Sequence, residues 1–198
     1  MSYSSFTLAK VKQQFSLKVF EEWGLFAQVT PRQNSDLLDR ILADNLPIAL
    51  GSNSEKARSE MIIAPILVEL QRQFQDRASL FSGVDFTVDE SQGLNGICDF
   101  VVTKSPERLA IASPVITIVE AKKENLNLGL GQCIAEMVAA QLYNQQEKNT
   151  VEVIYGALTS GTNWRFLQLR GSQVNIDLSE YYLGDKEQIL GILSQGLE

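Results

Sequence analysis

Histidine is absent from this chain of 198 residues, and its absence excludes more chemistry than any other gap in the composition. Ser-His-Asp and Cys-His nucleophile arrangements, His-containing zinc sites and every imidazole general base are removed at once. Cysteine is nearly absent too. Cys98 and Cys133 lie inside apolar runs rather than in a disulfide framework, which fits a reduced compartment and predicts core thiols. Long apolar runs are missing, and the opening Met1-Ser2-Tyr3-Ser4-Ser5-Phe6 lacks the charged-then-apolar pattern of a signal peptide. A cytoplasmic protein with no membrane partner is therefore expected. Basic charge is in deficit: 17 Lys and Arg stand against 24 Asp and Glu, a net charge of -7. That argues against a broad cationic surface for nucleic acid, while leaving room for local contacts. Lys56, Arg58, Lys122, Lys123 and Arg165 could gather at one cleft, whereas acids collect toward the C-terminus at Asp177, Glu180, Asp185 and Glu187.

What is present begins with an apolar run that ends in charge. Val115-Ile116-Thr117-Ile118-Val119, preceded by Pro114, is short and rich in β-branched residues, and so reads as a buried strand. It runs directly into Glu120-Ala121-Lys122. A strand sends alternate side chains to one face, so Ile118, Glu120 and Lys122 project together while Val119 and Ala121 point the other way. A second apolar run, Ile97-Cys98-Asp99-Phe100-Val101-Val102 after Gly96, also carries a carboxylate where a core residue is expected. Burying charge is costly unless it is paired or coordinates a metal. Two such strands suggest one shared site, and without histidine and with few thiols a hard cation, Mg²⁺ or Mn²⁺, is its natural ligand.

With 44% hydrophobic residues, the chain can bury one sizeable core, and no repeat, low-complexity tract or linker divides it. A single domain over 1–198 is expected, with an N-terminal helical segment over 1–50, a core over 54–170 and a C-terminal strand and helix over 171–198. Apolar spacing predicts a helix from Phe6 to Trp23, closed by Gly24. Ser35 should cap a second helix to about Leu42, broken before Pro47. Ser54 should cap a longer one over Glu55 to about Phe74, bent or divided at Pro65. Strands follow over 81–88, 96–103 and 115–122, then a helix from Gln132 to about Gln145. A hairpin joins strands 151–158 and 164–169 across Thr159-Ser160-Gly161-Thr162-Asn163. A short strand near 174–178 and a helix over 186–193 complete an α/β fold, a mixed sheet with helices on its faces.

Asp99, then Glu120-Ala121-Lys122 at the end of the next strand, then a helix opening with Gln132, resembles the PD-(D/E)XK, or restriction-endonuclease-like, nuclease superfamily. The likeness is to its type I restriction-like and uncharacterised bacterial branches. Glu60 supplies the helix glutamate that precedes the Asp in that pattern, and Gly156 to Phe166 is similar to the hairpin that follows. The likeness covers about residues 55–170, so 54–170 would be a nuclease-like core; Cys98 stands where the family has Pro. The resemblance implies a restriction-endonuclease-like mixed central β-sheet flanked by helices, acting as a Mg²⁺-dependent (or Mn²⁺-dependent) endonuclease on DNA, with a homodimer allowed. It assigns catalytic roles to Asp99, Glu120, Lys122, Glu60 and Gln132. Metal ligation would fall to Asp99, Glu120 and the Ala121 backbone carbonyl, with Glu60 holding a metal-bound water or a second ion.

Each residue also has a plainer reading. Glu120 and Lys122 could pair at a solvated strand end, and Asp99 could bond nearby backbone. Glu60 could be an ordinary helix glutamate, although Ile63, Ala64 and Leu67 at i+3, i+4 and i+7 place it on the apolar face of a regular helix. Gln132 could simply begin its helix, and Trp164 reads as a packing aromatic. The acidic charge keeps a second function open, a catalytically silent relative serving as a binding or assembly module. A third reading is an unrelated structural protein carrying the motif by chance.

Overall fold

Thr7, Ser35 and Ser54 cap the first three α-helices, but two N-terminal elements differ from their expected bounds. The computed structural model describes residues 2–123 and 125–198. Thr7 accepts the Lys10 amide and opens α1, Leu8–Gln14, which ends far short of Trp23. Ser16 turns into the left-handed region (φ 52°), and Lys18–Glu22 becomes strand β1. The apolar positions that mimic a helical period here serve two elements, because a distant strand offers β1 its hydrogen bonds. Ser35 caps α2, Asp36–Ser52, as expected, yet the helix continues through Pro47. Its buried Leu38, Leu42 and Ala49 outweigh the backbone hydrogen bond that proline cannot donate.

Ser54 accepts the Ala57 amide and starts α3, Glu55–Arg58. A wide π turn over Ser59–Ile63 joins it to α4, Ala64–Gln73, in which Pro65 occupies the first turn. The irregularity thus precedes Pro65: the Ala64 amide reaches back to the Ser59 carbonyl. A π turn holds an extra residue and rotates everything before it relative to α4. Ile62 and Ile63 are buried as a result, and Glu60 turns outward, 58% exposed. The apolar-face position inferred for Glu60 from regular helical spacing is corrected by that rotation.

The remaining elements are β2 (Ser79–Asp85), β3 (Ile97–Thr103), β4 (Val115–Ala121), α5 (Leu130–Gln146), β5 (Ile154–Thr159), β6 (Asn163–Arg170), β7 (Gln173–Asp177), β8 (Tyr181–Tyr182) and α6 (Lys186–Ser194). They form one mixed sheet in the order β1-β7-β6-β5-β4-β3-β2, with β8 added to β6. The β4–β5 and β1–β7 pairs are parallel and the others antiparallel. Every residue of β4 is buried, as a central strand covered on both faces requires.

Side-chain alternation divides the core as the sequence predicts. Ile118, Val101 and Leu158 join the cluster under α1 and α5, whereas Val119, Ala121, Phe100 and Trp164 join the cluster under α2, α4 and α6. The fold is therefore α/β with helices on both faces. No helix among the described residues is long and apolar enough to cross a membrane.

Candidate functional site

The β3–β4 ladder pairs Phe100 with Val119 and stops there. One residue further along β3, the Asp99 Oδ2 accepts the Ala121 amide at 2.8 Å. A side-chain carboxylate thus takes the place of a strand carbonyl, and the two strands part around it. In a strand, successive residues present their N–H and C=O groups to opposite neighbours. The Lys122 amide bonds Thr159 of β5 at 2.8 Å, so the Ala121 N–H and C=O are directed toward Asp99.

Glu120 projects to the α5 side and is 2% exposed. Its Oε1 accepts from the Lys122 ammonium, and its Oε2 is buried with no partner among the described residues. Burial raises its carboxyl from 4.5 to about 7, the Asp99 charge adds to the rise, and Lys122 opposes it. Burial works against the charge on Lys122, but Glu120, Asp99 and Glu55 outweigh that and hold its pKa above the usual value. Asp99, Glu120 and Lys122 are thus brought together, 21 residues (120 − 99) apart in sequence for the two acids.

Glu60 stands apart from this group. Its carboxylate pairs with Lys56 at 2.7 Å, one helical turn away, on the rim of a cleft of about 270 Å³ that Asp99 and Ala121 also line. Glu55 is the α3 acid whose field reaches both Glu120 and Lys122, and its Oε2 accepts the Lys123 amide at 3.0 Å. Sequence reasoning passed over Glu55 because the first residue of a helix reads as dipole complementation.

Gln132 lies in the first turn of α5, half-buried, and donates to the Glu136 Oε1 at 3.1 Å. Glu136 was also missed, although a glutamate amid Cys133, Ile134, Ala135 and Met137 was a signal. It is fully buried, and burial followed by the Glu120 charge pushes its carboxyl far above the usual range.

Of the basic residues, Lys56 lines the cleft and Lys122 lies beside Glu120, but the two arginines are engaged elsewhere. Arg58 donates to the Ser160 carbonyl at 3.1 Å, and Arg165 binds Asn127 and Glu180. Both brace the 159–163 hairpin loop and its surroundings. Trp164 is wholly buried and donates to the Gly161 carbonyl at 3.1 Å, a packing role. Cys98 and Cys133 are free and buried, with thiols raised by burial, which makes them unreactive.

Among the described residues, no three His, Cys, Asp or Glu side chains converge as a metal-holding group. Mg²⁺, however, typically takes only one or two carboxylates and retains several waters. Asp99, Glu120 and the Ala121 carbonyl fit such a donor set. The chain gives no match to protein-family models or to curated proteins.

Proposed function

We propose that this protein is a Mg²⁺-dependent nuclease that hydrolyses phosphodiester bonds of DNA on a restriction-endonuclease-like fold. The observation that carries the reading is the parting of β3 and β4, where Asp99 grips the amide of Ala121 beside Lys122 and buried Glu120. Asp99, Glu120 and the Ala121 carbonyl would hold the cation, which supplies Lewis acidity and a lowered water pKa when bound. Lys122 would then orient the attacking water or stabilise charge on the phosphate. Gln132, at the mouth of α5, would position water or substrate. Glu60, on the cleft rim, would hold a metal-bound water. A homodimer would bring two such sites to the two strands of a duplex. A cytoplasmic setting agrees with two free thiols.

The test is cleavage of supercoiled, linear and single-stranded DNA with Mg²⁺, Mn²⁺ or EDTA. Wild type should cut in either metal and not in EDTA, and Asp99→Asn and Glu120→Gln should fall to background. No cleavage by wild type in either metal defeats the proposal. A second reading, a silent relative acting as a binding module, is favoured by one observation: Lys56, Arg58 and Arg165 are engaged within the protein rather than held ready for phosphates. Gel-shift binding without cleavage would select it.

A further inference from the structure

Buried carboxylates that serve structure in this protein have both oxygens occupied. Asp177 accepts from the amides of Gly24, Phe26 and Ser179 and from the Tyr181 hydroxyl. Glu69 accepts from Ser35, Gln73 and Arg72. Glu120 and Glu136 differ: each is at least 98% buried, yet each keeps its Oε2 without a partner among the described residues. An unpaired buried carboxylate oxygen is costly, and two in one place more so.

The two acids are placed together by the crossover. β4 and β5 are parallel, so the connecting α5 runs antiparallel to β4. At its start Gly129 packs on the Lys122 side chain, since a Cβ there would lie 3.0 Å from Lys122 Cε. Seven residues on, Glu136 has returned to nearly the same angular position on the helix, about 10 Å further along. That distance spans about three strand residues, which brings Glu136 level with the stretch of β4 just below Glu120. Glu120 faces this helix because it shares a side with Ile118. Glu120 is accordingly the charge that acts most strongly on Glu136. Of the polar groups nearby, Lys122 is taken up on the Glu120 Oε1 and Gln132 on the Glu136 Oε1. Cys98 and Cys133 offer only neutral thiols.

We propose that Glu120 and Glu136 form a second divalent-cation site on the α5 side of β4, joined through their two unpartnered oxygens. Two carboxylates with water are sufficient for Mg²⁺ or Mn²⁺, and the Gln132 amide oxygen is available at its edge. Lys122, paired with the Glu120 Oε1 and 22% exposed, would swing aside as the ion takes its place on Glu120. The site shares Glu120 with the centre proposed above, so Glu120 would bridge two ions, while Asp99 and Glu136 would each belong to one.

Equilibrium dialysis with Mn²⁺ alone, without nucleic acid, tests this on the full chain. Wild type should bind two ions, and Glu136→Gln and Asp99→Asn should each bind one. Glu136→Gln keeps an acceptor for Gln132 and replaces a carboxyl that burial already holds toward its neutral form, so the metal-free variant should melt no lower than wild type. Two ions retained in Glu136→Gln, only one bound by wild type, or an unfolded Glu136→Gln each overturns the proposal. Loss in Asp99→Asn alone leaves the nuclease reading standing without it. Loss in Glu136→Gln alone does the reverse.

Discussion

At the scale of single residues, Glu120 sets burial against charge. Its folded pKa of about 7 lies above its ordinary 4.5, so the protonated form favours folding. That contribution is complete below about pH 4.5 and is lost as pH rises through about 7, a swing of about 3 kcal/mol. In metal-free protein, Glu120→Gln should therefore melt increasingly above wild type as pH goes from 5 to 8. Thermal melts across that range check it, and a constant offset would mark the carboxylate as fully paired. Asp99→Asn should be close to neutral, because an amide oxygen can still accept from Ala121. Glu60 makes a contrasting case. Its exposed pairing with Lys56 is worth little, so Glu60→Ala should barely move stability and should reduce Mg²⁺-dependent cleavage less than Asp99→Ala. Glu55→Ala should cost more, about 10–100-fold, as supporting partners of ligands do; turnover measured on one DNA substrate ranks the three.

At the scale of elements, α5 is fixed by close approach rather than by propensity. A Cβ on Gly131 would fall 2.4 Å from the Phe6 carbonyl oxygen and from Thr7 backbone, so the N-terminal segment crosses the helix where only glycine fits. Gly131→Ala should cost about 1–3 kcal/mol, the usual range for overpacking. Gly51, inside α2 with nothing within 4 Å of its Cβ position, is the control. Alanine there should be neutral or add up to about 1 kcal/mol. The urea midpoint should fall for Gly131→Ala and hold or rise for Gly51→Ala. The π turn over Ser59–Ile63 belongs to this scale as well, since it aims Glu60 at solvent while seating Ile62 and Ile63 in the core.

At the scale of the whole molecule, one sheet separates two apolar clusters, and β3 to β6 contribute side chains to both. Neither cluster can melt while the other keeps its strands. Unfolding followed by circular dichroism and by fluorescence of buried Trp164 should coincide in one transition; separated transitions would reveal two units. A cation held only by the folded chain raises the melting temperature by mass action, by about 2.7 kcal/mol of stability at a hundredfold excess over its dissociation constant. Mg²⁺ should therefore stabilise wild type and stabilise Asp99→Asn and Glu120→Gln less; equal shifts in all three would count against both acids.

The sequence by itself determined the caps at Ser35 and Ser54, the strand character of 97–102 and 115–121, the crossover helix and hairpin, and the side on which Glu120 lies relative to Ala121. These follow from local side-chain chemistry and from a strand's twofold period, which hold wherever the segment packs. It also set Asp99 and Glu120-Ala121-Lys122 on successive strands, enough to suggest that they meet. Only the tertiary structure decided that Lys18–Glu22 is a strand, because its partner, β7, lies more than 150 residues away. It decided too that α2 runs through Pro47, that a π turn takes Glu60 off the apolar face, and that Glu55 reaches the Lys123 amide beside the site. Glu136 was legible only as an oddity in an apolar helix. That it is buried with an oxygen unpartnered and lies under the charge of Glu120 depends on α5 folding back along β4, a distance no local pattern encodes.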